Sequence, residues 1–213
     1  MSRVVKPVRR KKLETPRAWQ RMLSGRRLDL LDPSPLDIEI EDIAHGLARV
    51  ARWNGQTTGD HAFSVAQHSV VVEEITAHIQ PGLEPRWRLA ALLHDAPEYV
   101  IGDMISPFKA VLGEDYKAVE KRLLSAIHIR FGLPPVLADK ITQTIKAADR
   151  GAAYLEATEL AGFAADEAKR LFGRDPELSP ATRQDYLTPW SAAKAEKRFL
   201  ARFKALISGS NSE

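Results

Sequence analysis

The chain has 213 residues, of which 44% are hydrophobic and 28% are charged, and it contains no cysteine. This length and composition fit one ordinary domain with a buried core, and they exclude collagen, low-complexity disorder and a disulfide-stapled miniprotein. Without cysteine there are no thiolate metal sites and no thiol nucleophiles. No apolar run reaches the roughly 20 residues of a membrane-spanning helix, and the N-terminus lacks the apolar stretch of a signal peptide. We therefore expect a soluble, cytoplasmic protein.

The positive charge of the chain is concentrated at its beginning. Residues 1–27 carry ten basic side chains against one acid, Glu14, which gives +9 and leaves −6 for the rest of a chain whose total is +3. A basic segment of this kind binds nucleic acid, anionic lipid or a phosphorylated substrate, or it stays solvated, which is the interpretation we favour. We interpret residues 1–40 as a basic, partly irregular N-terminal extension and residues 41–208 as the folded core.

From about residue 40 the apolar residues recur with helical spacing. Ser64 and Gln67 form a capping box that predicts a helix to about Ile79, and Pro85 stands where a first helical residue would. The last helix is predicted to begin at Thr188, with Pro189 as its first residue. The other predicted helices cover residues 42–53, 114–131 and 136–163. No convincing strand pattern is present, so the sequence predicts an all-α helical bundle.

Two polar residues fall on apolar helix faces. His68 lies on the stripe formed by Val65 and Val72, and Asp149 comes four residues after Ile145. A single histidine in such a place is commonly a hydrogen-bonded core residue, and a single buried aspartate is commonly paired with an arginine. Considered alone, His68 could therefore be a core histidine, and Asp149 could be the partner of an arginine.

A third anomaly is the pair His94-Asp95, which ends the apolar run LAALL. Consecutive helical residues point about 100° apart, but Pro97 bends the chain here and allows both side chains to address one point. Glu98 and Asp103 add two acids within a few residues. Two imidazoles and two carboxylates on three separate helices would suit Mn²⁺, Co²⁺, Ni²⁺, Fe²⁺ or Mg²⁺ better than a closed structural Zn²⁺ site.

These residues resemble the HD-domain superfamily of metal-dependent phosphohydrolases, and most closely the bacterial HD-domain 5′-deoxynucleotidases. The matching stretches are Arg52-Trp53, QHS at 67–69, HDAPEYVIGDMISPFK at 94–109 and KAADRGAAYLEATEL at 146–160. They cover residues 52 to about 160 in the expected order. Gln67 departs from the resemblance, because a glutamate is usual at that position.

The resemblance implies an HD-type helical fold, a homodimer, and phosphate release from (deoxy)nucleoside 5′-monophosphates by metal-activated water. The metal would be Mn²⁺, Co²⁺, Mg²⁺, Ni²⁺, Fe²⁺ or Zn²⁺. The implied roles are metal ligation by His68, His94, Asp95 and Asp149, action on water and leaving group by Glu98 and Asp103, phosphate binding by Arg52 and sugar contact by Trp53.

Two alternatives remain open from the sequence. One is another HD enzyme, such as a nucleotide phosphodiesterase or a triphosphohydrolase. Guanosine tetraphosphate hydrolases are discounted, because they show two acids close after the HD pair, whereas here Tyr99 follows Glu98. The other alternative is a non-catalytic, metal-stabilised regulatory or nucleic-acid-binding module that uses the basic segment. We also expect His78 and His128 to lie at the surface or at a helix rim.

Overall fold

The computed structural model describes residues 17–105 and 114–210, and this part of the chain is mostly helical. Its α-helices, in chain order, are α1 (Ile40–Leu47), α2 (Val65–Ile79), α3 (Pro85–Leu92), α4 (Glu98–Ile101), α5 (Glu114–Arg130), α6 (Asp139–Glu159), α7 (Ala165–Phe172), α8 (Pro180–Leu187) and α9 (Ala192–Ser210). Short 3₁₀ turns lie at Pro35–Asp37 and Arg52–Gly55. The predicted all-α class is confirmed. Within the described ranges, no helix has both the length and the apolar character that a membrane span requires.

The only sheet of the described residues is a small hairpin before α1. Strand β1 (Trp19–Arg21) pairs antiparallel with β2 (Arg27–Asp29), in the register Gln20 opposite Leu28. Each strand has three residues, which is too short for the alternating pattern that would have predicted it. Leu28 and Ile38 are fully buried, so the described part of the segment before residue 40 contributes side chains to the core.

Helix α2 lies at the centre of the fold and packs against α3, α6 and α9. Residues 65–73 of this helix are all buried, which explains why its apolar residues are not confined to one stripe. Several of the buried positions carry polar side chains, among them His68 and Glu73, and a buried polar group needs partners. Glu73 has them in Arg88 of α3 and Arg202 of α9. His68 faces the other way, toward the candidate site.

Most predicted helices are present, but several of them begin or end at other residues than predicted. Ser64 caps α2 as expected, by accepting a hydrogen bond from the Gln67 N–H at 3.2 Å. The other half of the predicted capping box does not form, because the Gln67 side chain bonds to the segment after α8 instead. Helix α1, however, ends at Leu47 rather than at residue 53. The prediction that Thr188 and Pro189 begin the last helix is wrong. Thr188 ends α8, and α9 begins at Ala192, where Ser191 Oγ accepts from the Lys194 N–H.

Candidate metal centre

His68 projects from the buried face of α2 with no exposed surface. Its Nδ1 lies 2.5 Å from Glu156 Oε1, and its Nε2 lies 3.3 Å from His94 Nε2. A carboxylate only accepts hydrogen bonds, so the hydrogen of the neutral ring sits on Nδ1. Nε2 then presents a lone pair toward His94.

His94 and Asp95 occupy a tight turn between α3 and α4 rather than a continuous helix. The Ala96 N–H donates to Leu93 O, and the Glu98 N–H donates to Asp95 O, both at 3.0 Å. Pro97 has no N–H to donate to Leu93 O, so the helical hydrogen bond is missing and the chain bends here, as the sequence predicts. Because of this turn, the two consecutive side chains reach one point: Asp95 Oδ2 lies 3.2 Å from His94 Nε2.

Asp149, on α6, completes the group from a third part of the chain. Its Oδ1 lies 3.3 Å from His68 Nε2 and 3.9 Å from His94 Nε2. Asp95 Oδ2 is 3.4 Å from the same His68 atom. The four residues predicted to bind the metal therefore converge. The simpler interpretation, in which Asp149 is buried only because it pairs with an arginine, does not describe these contacts.

The donor chemistry of this cluster fits a divalent cation. His94 Nδ1 lies 2.8 Å from Ala91 O, which only accepts, so His94 also keeps its hydrogen on Nδ1. With both rings neutral, two Nε2 lone pairs and two carboxylate oxygens face one another. Neutral imidazoles that donate their other N–H to a fixed acceptor are the usual form of histidine ligands. Mixed nitrogen and oxygen ligation suits a divalent ion such as Mn²⁺, Fe²⁺, Co²⁺, Ni²⁺, Mg²⁺ or Zn²⁺.

The charges around the cluster favour a cation as well. Burial alone would raise the pKa of Asp95, but the two neighbouring histidines outweigh it and hold that pKa well below its usual range. Burial and Arg52 oppose the charged form of His68, yet Glu156, Asp149 and Asp95 raise the pKa of its imidazole well above the usual value. The field at His68 therefore stabilises positive charge.

Arg52 and Trp53 lie beside this cluster, in the turn that follows α1. Arg52 Nη1 is 3.8 Å from carboxylate oxygens of both Asp95 and Asp103, and its Nε donates to Glu156 Oε2 at 3.2 Å. Burial lowers the pKa of Arg52, but Glu156, Asp95 and Asp103 together raise it, so the side chain stays charged. The guanidinium thus lies next to the predicted metal ligands.

The backbone of this turn is strained at Trp53, which has φ 56°. A bulky side chain at positive φ is unfavourable and persists only where its surroundings hold it. The indole packs against Phe163 and Phe172, each with a ring-centroid separation of 5.6 Å, and its Nε1–H donates to Glu156 at 2.8 Å. Trp53 is therefore a fixed element of the site wall.

Glu98 and Asp103 flank α4. Glu98 is the first residue of α4 and is only 2% exposed, directly after the turn that carries His94 and Asp95. Asp103 follows Gly102, whose φ of 76° ends the helix. Asp103 reaches the site through Arg52 Nη1, as its 3.8 Å separation shows. The last residues of the matching 94–109 stretch, from 106 onward, lie outside the described part of the chain.

Sequence reasoning missed Glu156. This residue is fully buried and contacts His68, Arg52 and Trp53 at once. It comes seven residues after Asp149 and therefore shares its helix face, which is the signal that could have revealed it. The prediction that His128 lies at the surface or at a helix rim is wrong. This residue is 2% exposed, and its Nδ1 donates to Pro134 O at 3.2 Å, whereas His78 is exposed as predicted.

The structure accounts for Gln67, where the resemblance expects a glutamate. Its amide nitrogen donates to the carbonyl oxygens of Tyr186 and Thr188, at 2.7 and 2.9 Å, and its amide oxygen accepts from the Trp190 N–H at 2.8 Å. Two carbonyl acceptors need a donor, which a carboxylate lacks. The carboxylate beside His68 comes from Glu156 instead.

An all-α fold with a histidine, a His-Asp pair and a distant aspartate around one point is that of the HD-domain metal-dependent phosphohydrolases. The model of the YfbR-like 5′-deoxynucleotidase family matches residues 43–167, and the chain belongs to this family. It is 67% identical over 163 residues to an uncharacterised protein of Rhodobacter capsulatus, covering 76% of this chain and 83% of the relative. It is 32% identical over 170 residues to the uncharacterised protein YfdR of Escherichia coli, covering 80% and 85%.

Proposed function

We propose that this protein releases inorganic phosphate from nucleoside 5′-monophosphates, with deoxyribonucleotides as the preferred substrates. The observation that carries the proposal is the meeting of two imidazole Nε2 atoms, 3.3 Å apart, with Asp95 and Asp149 beside the guanidinium of Arg52. A phosphate monoester needs a cationic clamp on its oxygens and an activated water, and this arrangement is suited to both.

His68, His94, Asp95 and Asp149 would hold the metal. A bound divalent ion lowers the pKa of water and neutralises the charge that develops on the phosphoryl oxygens. Arg52 would bind the phosphate through the Nη1 side, because its Nε and Nη2 sides already contact Glu156 at 3.2 Å. Trp53 would lie against the sugar and disfavour a 2′-hydroxyl.

The chemistry is a hydrolysis in which water oxygen bonds to phosphorus and the bond from phosphorus to the 5′-oxygen breaks. Glu98, the first residue of α4 and three residues after Asp95, would orient this water or protonate the leaving oxygen. Asp103 would assist from its position 3.8 Å from Arg52 Nη1. The products are inorganic phosphate and a nucleoside, and the proton lost by the water is balanced by the one gained by the 5′-hydroxyl.

The proposal is tested with a phosphate-release panel of deoxyribo- and ribonucleoside 5′-monophosphates, cyclic nucleotides and nucleoside triphosphates. Chelator-treated protein is assayed alone and after addition of Mn²⁺, Co²⁺, Mg²⁺ or Zn²⁺. We expect metal-dependent release from monophosphates, with deoxyribonucleotides ahead of ribonucleotides. Release only from triphosphates would indicate a triphosphohydrolase instead, and cleavage only of cyclic nucleotides would indicate a phosphodiesterase. No turnover with any metal, together with salt-sensitive nucleic-acid binding, would favour the non-catalytic module.

The homodimer remains a prediction from the family resemblance, and the cytoplasmic location remains one from the composition and the N-terminal sequence. Light scattering of the purified protein at several concentrations tests the first, and fractionation of cells that express the native chain tests the second.

A further inference from the structure

We infer that Glu156 is a positioning residue that orients a metal ligand with one carboxylate oxygen and the substrate-binding pair with the other. The inference rests on the proposed function and extends it to a residue that none of the predicted roles includes. Oε1 contacts His68 Nδ1 at 2.5 Å, while Oε2 contacts Trp53 Nε1 at 2.8 Å and Arg52 Nε and Nη2, each at 3.2 Å.

The burial of Glu156 makes these contacts consequential. Its side chain has no exposed surface, and a buried carboxylate is strongly unfavourable unless charged or polar donors surround it. Here donors from two other parts of the chain, α2 and the turn after α1, meet both oxygens. Loss of Oε1 would leave the Nδ1–H of His68 unpaired, and loss of Oε2 would do the same to the donors of Arg52 and Trp53. The side chain that lost its acceptor could then turn away from the site.

The contact with His68 fixes which ring nitrogen faces the metal ligands. While Oε1 accepts from Nδ1–H, the lone pair of Nε2 points toward His94, Asp95 and Asp149. If that acceptor were absent, the ring could carry its hydrogen on Nε2 and lose its ability to bind a cation. Outer partners of this kind typically change metal affinity by about 10–100-fold.

The contacts of Oε2 fix the substrate side. Glu156 holds the Nε and Nη2 sides of Arg52, so that Nη1 faces the carboxylates of Asp95 and Asp103 at 3.8 Å. The same oxygen holds the indole of Trp53, whose backbone has the unfavourable φ of 56°. One acceptor therefore sets the direction of the guanidinium and helps to maintain the strained turn next to it.

Glu156→Gln separates the two tasks because an amide has one accepting oxygen and one donating nitrogen. If the oxygen stays with Arg52 and Trp53, the amide nitrogen meets His68 Nδ1 and forces the hydrogen of the ring to Nε2. If the oxygen turns to His68, the amide hydrogens meet the donors of Arg52 and Trp53. Neither orientation satisfies both sides. Glu156→Asp keeps both acceptors but is one methylene shorter, so partial recovery is expected.

The experiment measures Co²⁺ and Mn²⁺ affinity by calorimetry on chelator-treated protein, and kcat and KM for a deoxynucleoside 5′-monophosphate at saturating metal. For Glu156→Gln we expect metal affinity to fall about 10–100-fold. We expect KM to rise by about tenfold, as the loss of one charged hydrogen bond implies. Glu159→Gln is the matched control, since Glu159 lies on the same helix but is exposed and pairs with Arg183.

A Glu156→Gln protein that is folded by circular dichroism and keeps both wild-type values would overturn the inference. A change in only one of them would overturn the dual role, and a loss of stability alone would assign Glu156 a purely structural one. If the unmodified protein hydrolyses no nucleotide, the proposed function fails by itself. The metal titration and a calorimetric titration with inorganic phosphate still test the His68 and Arg52 sides.

Discussion

Gly46 controls how closely α1 approaches α4, and Gly46→Ala is the substitution whose consequences the structure defines best. A Cβ atom at this position would lie 2.8 Å from Tyr99 Cβ, 2.9 Å from Tyr99 O and 3.1 Å from Tyr99 Cα. All of these atoms belong to the backbone of α4 or are attached directly to it. Rotation of a side chain cannot relieve the contact, so one helix must move.

The size of the movement follows from the contact distance. Carbon atoms pack at about 3.5–4.0 Å, so a contact of 2.8 Å requires a shift of about 1 Å. Overpacking of this kind costs about 1–3 kcal/mol, and alanine returns about 1 kcal/mol through its higher helix propensity. We expect a net loss of about 1 kcal/mol in the free energy of unfolding.

The same shift should impair turnover, because Glu98 directly precedes Tyr99 and moves with it. A displacement of about 1 Å in a reacting group can cost up to about 100-fold in rate, so kcat is expected to fall by about 10–100-fold. Metal affinity should change little, since none of His68, His94, Asp95 and Asp149 lies on α1 or α4.

The assay combines urea unfolding, steady-state kinetics and metal titration. Gly209→Ala is the control, because Gly209 is also helical and its Cβ would meet a Pro85 side-chain atom at 3.2 Å, where a small adjustment suffices. A Gly46→Ala protein with unchanged kcat would refute the placement of Glu98 in the reaction. A fall in metal affinity as large as the fall in kcat would show that α4 does not move independently of the proposed metal ligands.

Three further predictions concern single side chains. Asp95→Ala should lower metal-dependent phosphate release by more than about 100-fold with helicity unchanged in circular dichroism, and full turnover would contradict its role as a ligand. Glu73→Ala should lower the urea-derived free energy of unfolding by about 3 kcal/mol, because two arginines lose a fully buried partner, whereas the exposed Glu167→Ala should have little effect. Burial lowers the pKa of His128, so the fold resists the proton that the unfolded chain binds near pH 6.5, and stability should fall as the pH drops through that value. His128→Gln should weaken this part of the pH dependence in urea unfolding at several pH values, the exposed His78→Gln should not, and equal slopes would contradict the interpretation.

The ends of several elements depend on the tertiary structure rather than on local pattern. The apolar spacing of residues 42–53 continues past Leu47, but the chain leaves the helix there because Ala51 pairs with Ser64 in an isolated bridge. Thr188 and Pro189 have the composition of a helix start. The hydrogen bonds of Gln67 to Tyr186 O, Thr188 O and Trp190 N hold that segment in a non-helical path.

The sequence by itself determined the helical class and the four converging residues, because helical periodicity shows which polar side chains point inward and Pro97 explains how His94 and Asp95 reach one point. Only the tertiary structure decided which side chains contact and orient these four residues. Glu156 shares a helix face with Asp149, but helical periodicity predicts only the direction of a side chain and not which residues it contacts. That a single carboxylate holds both His68 and Arg52 depends on how three distant segments pack together.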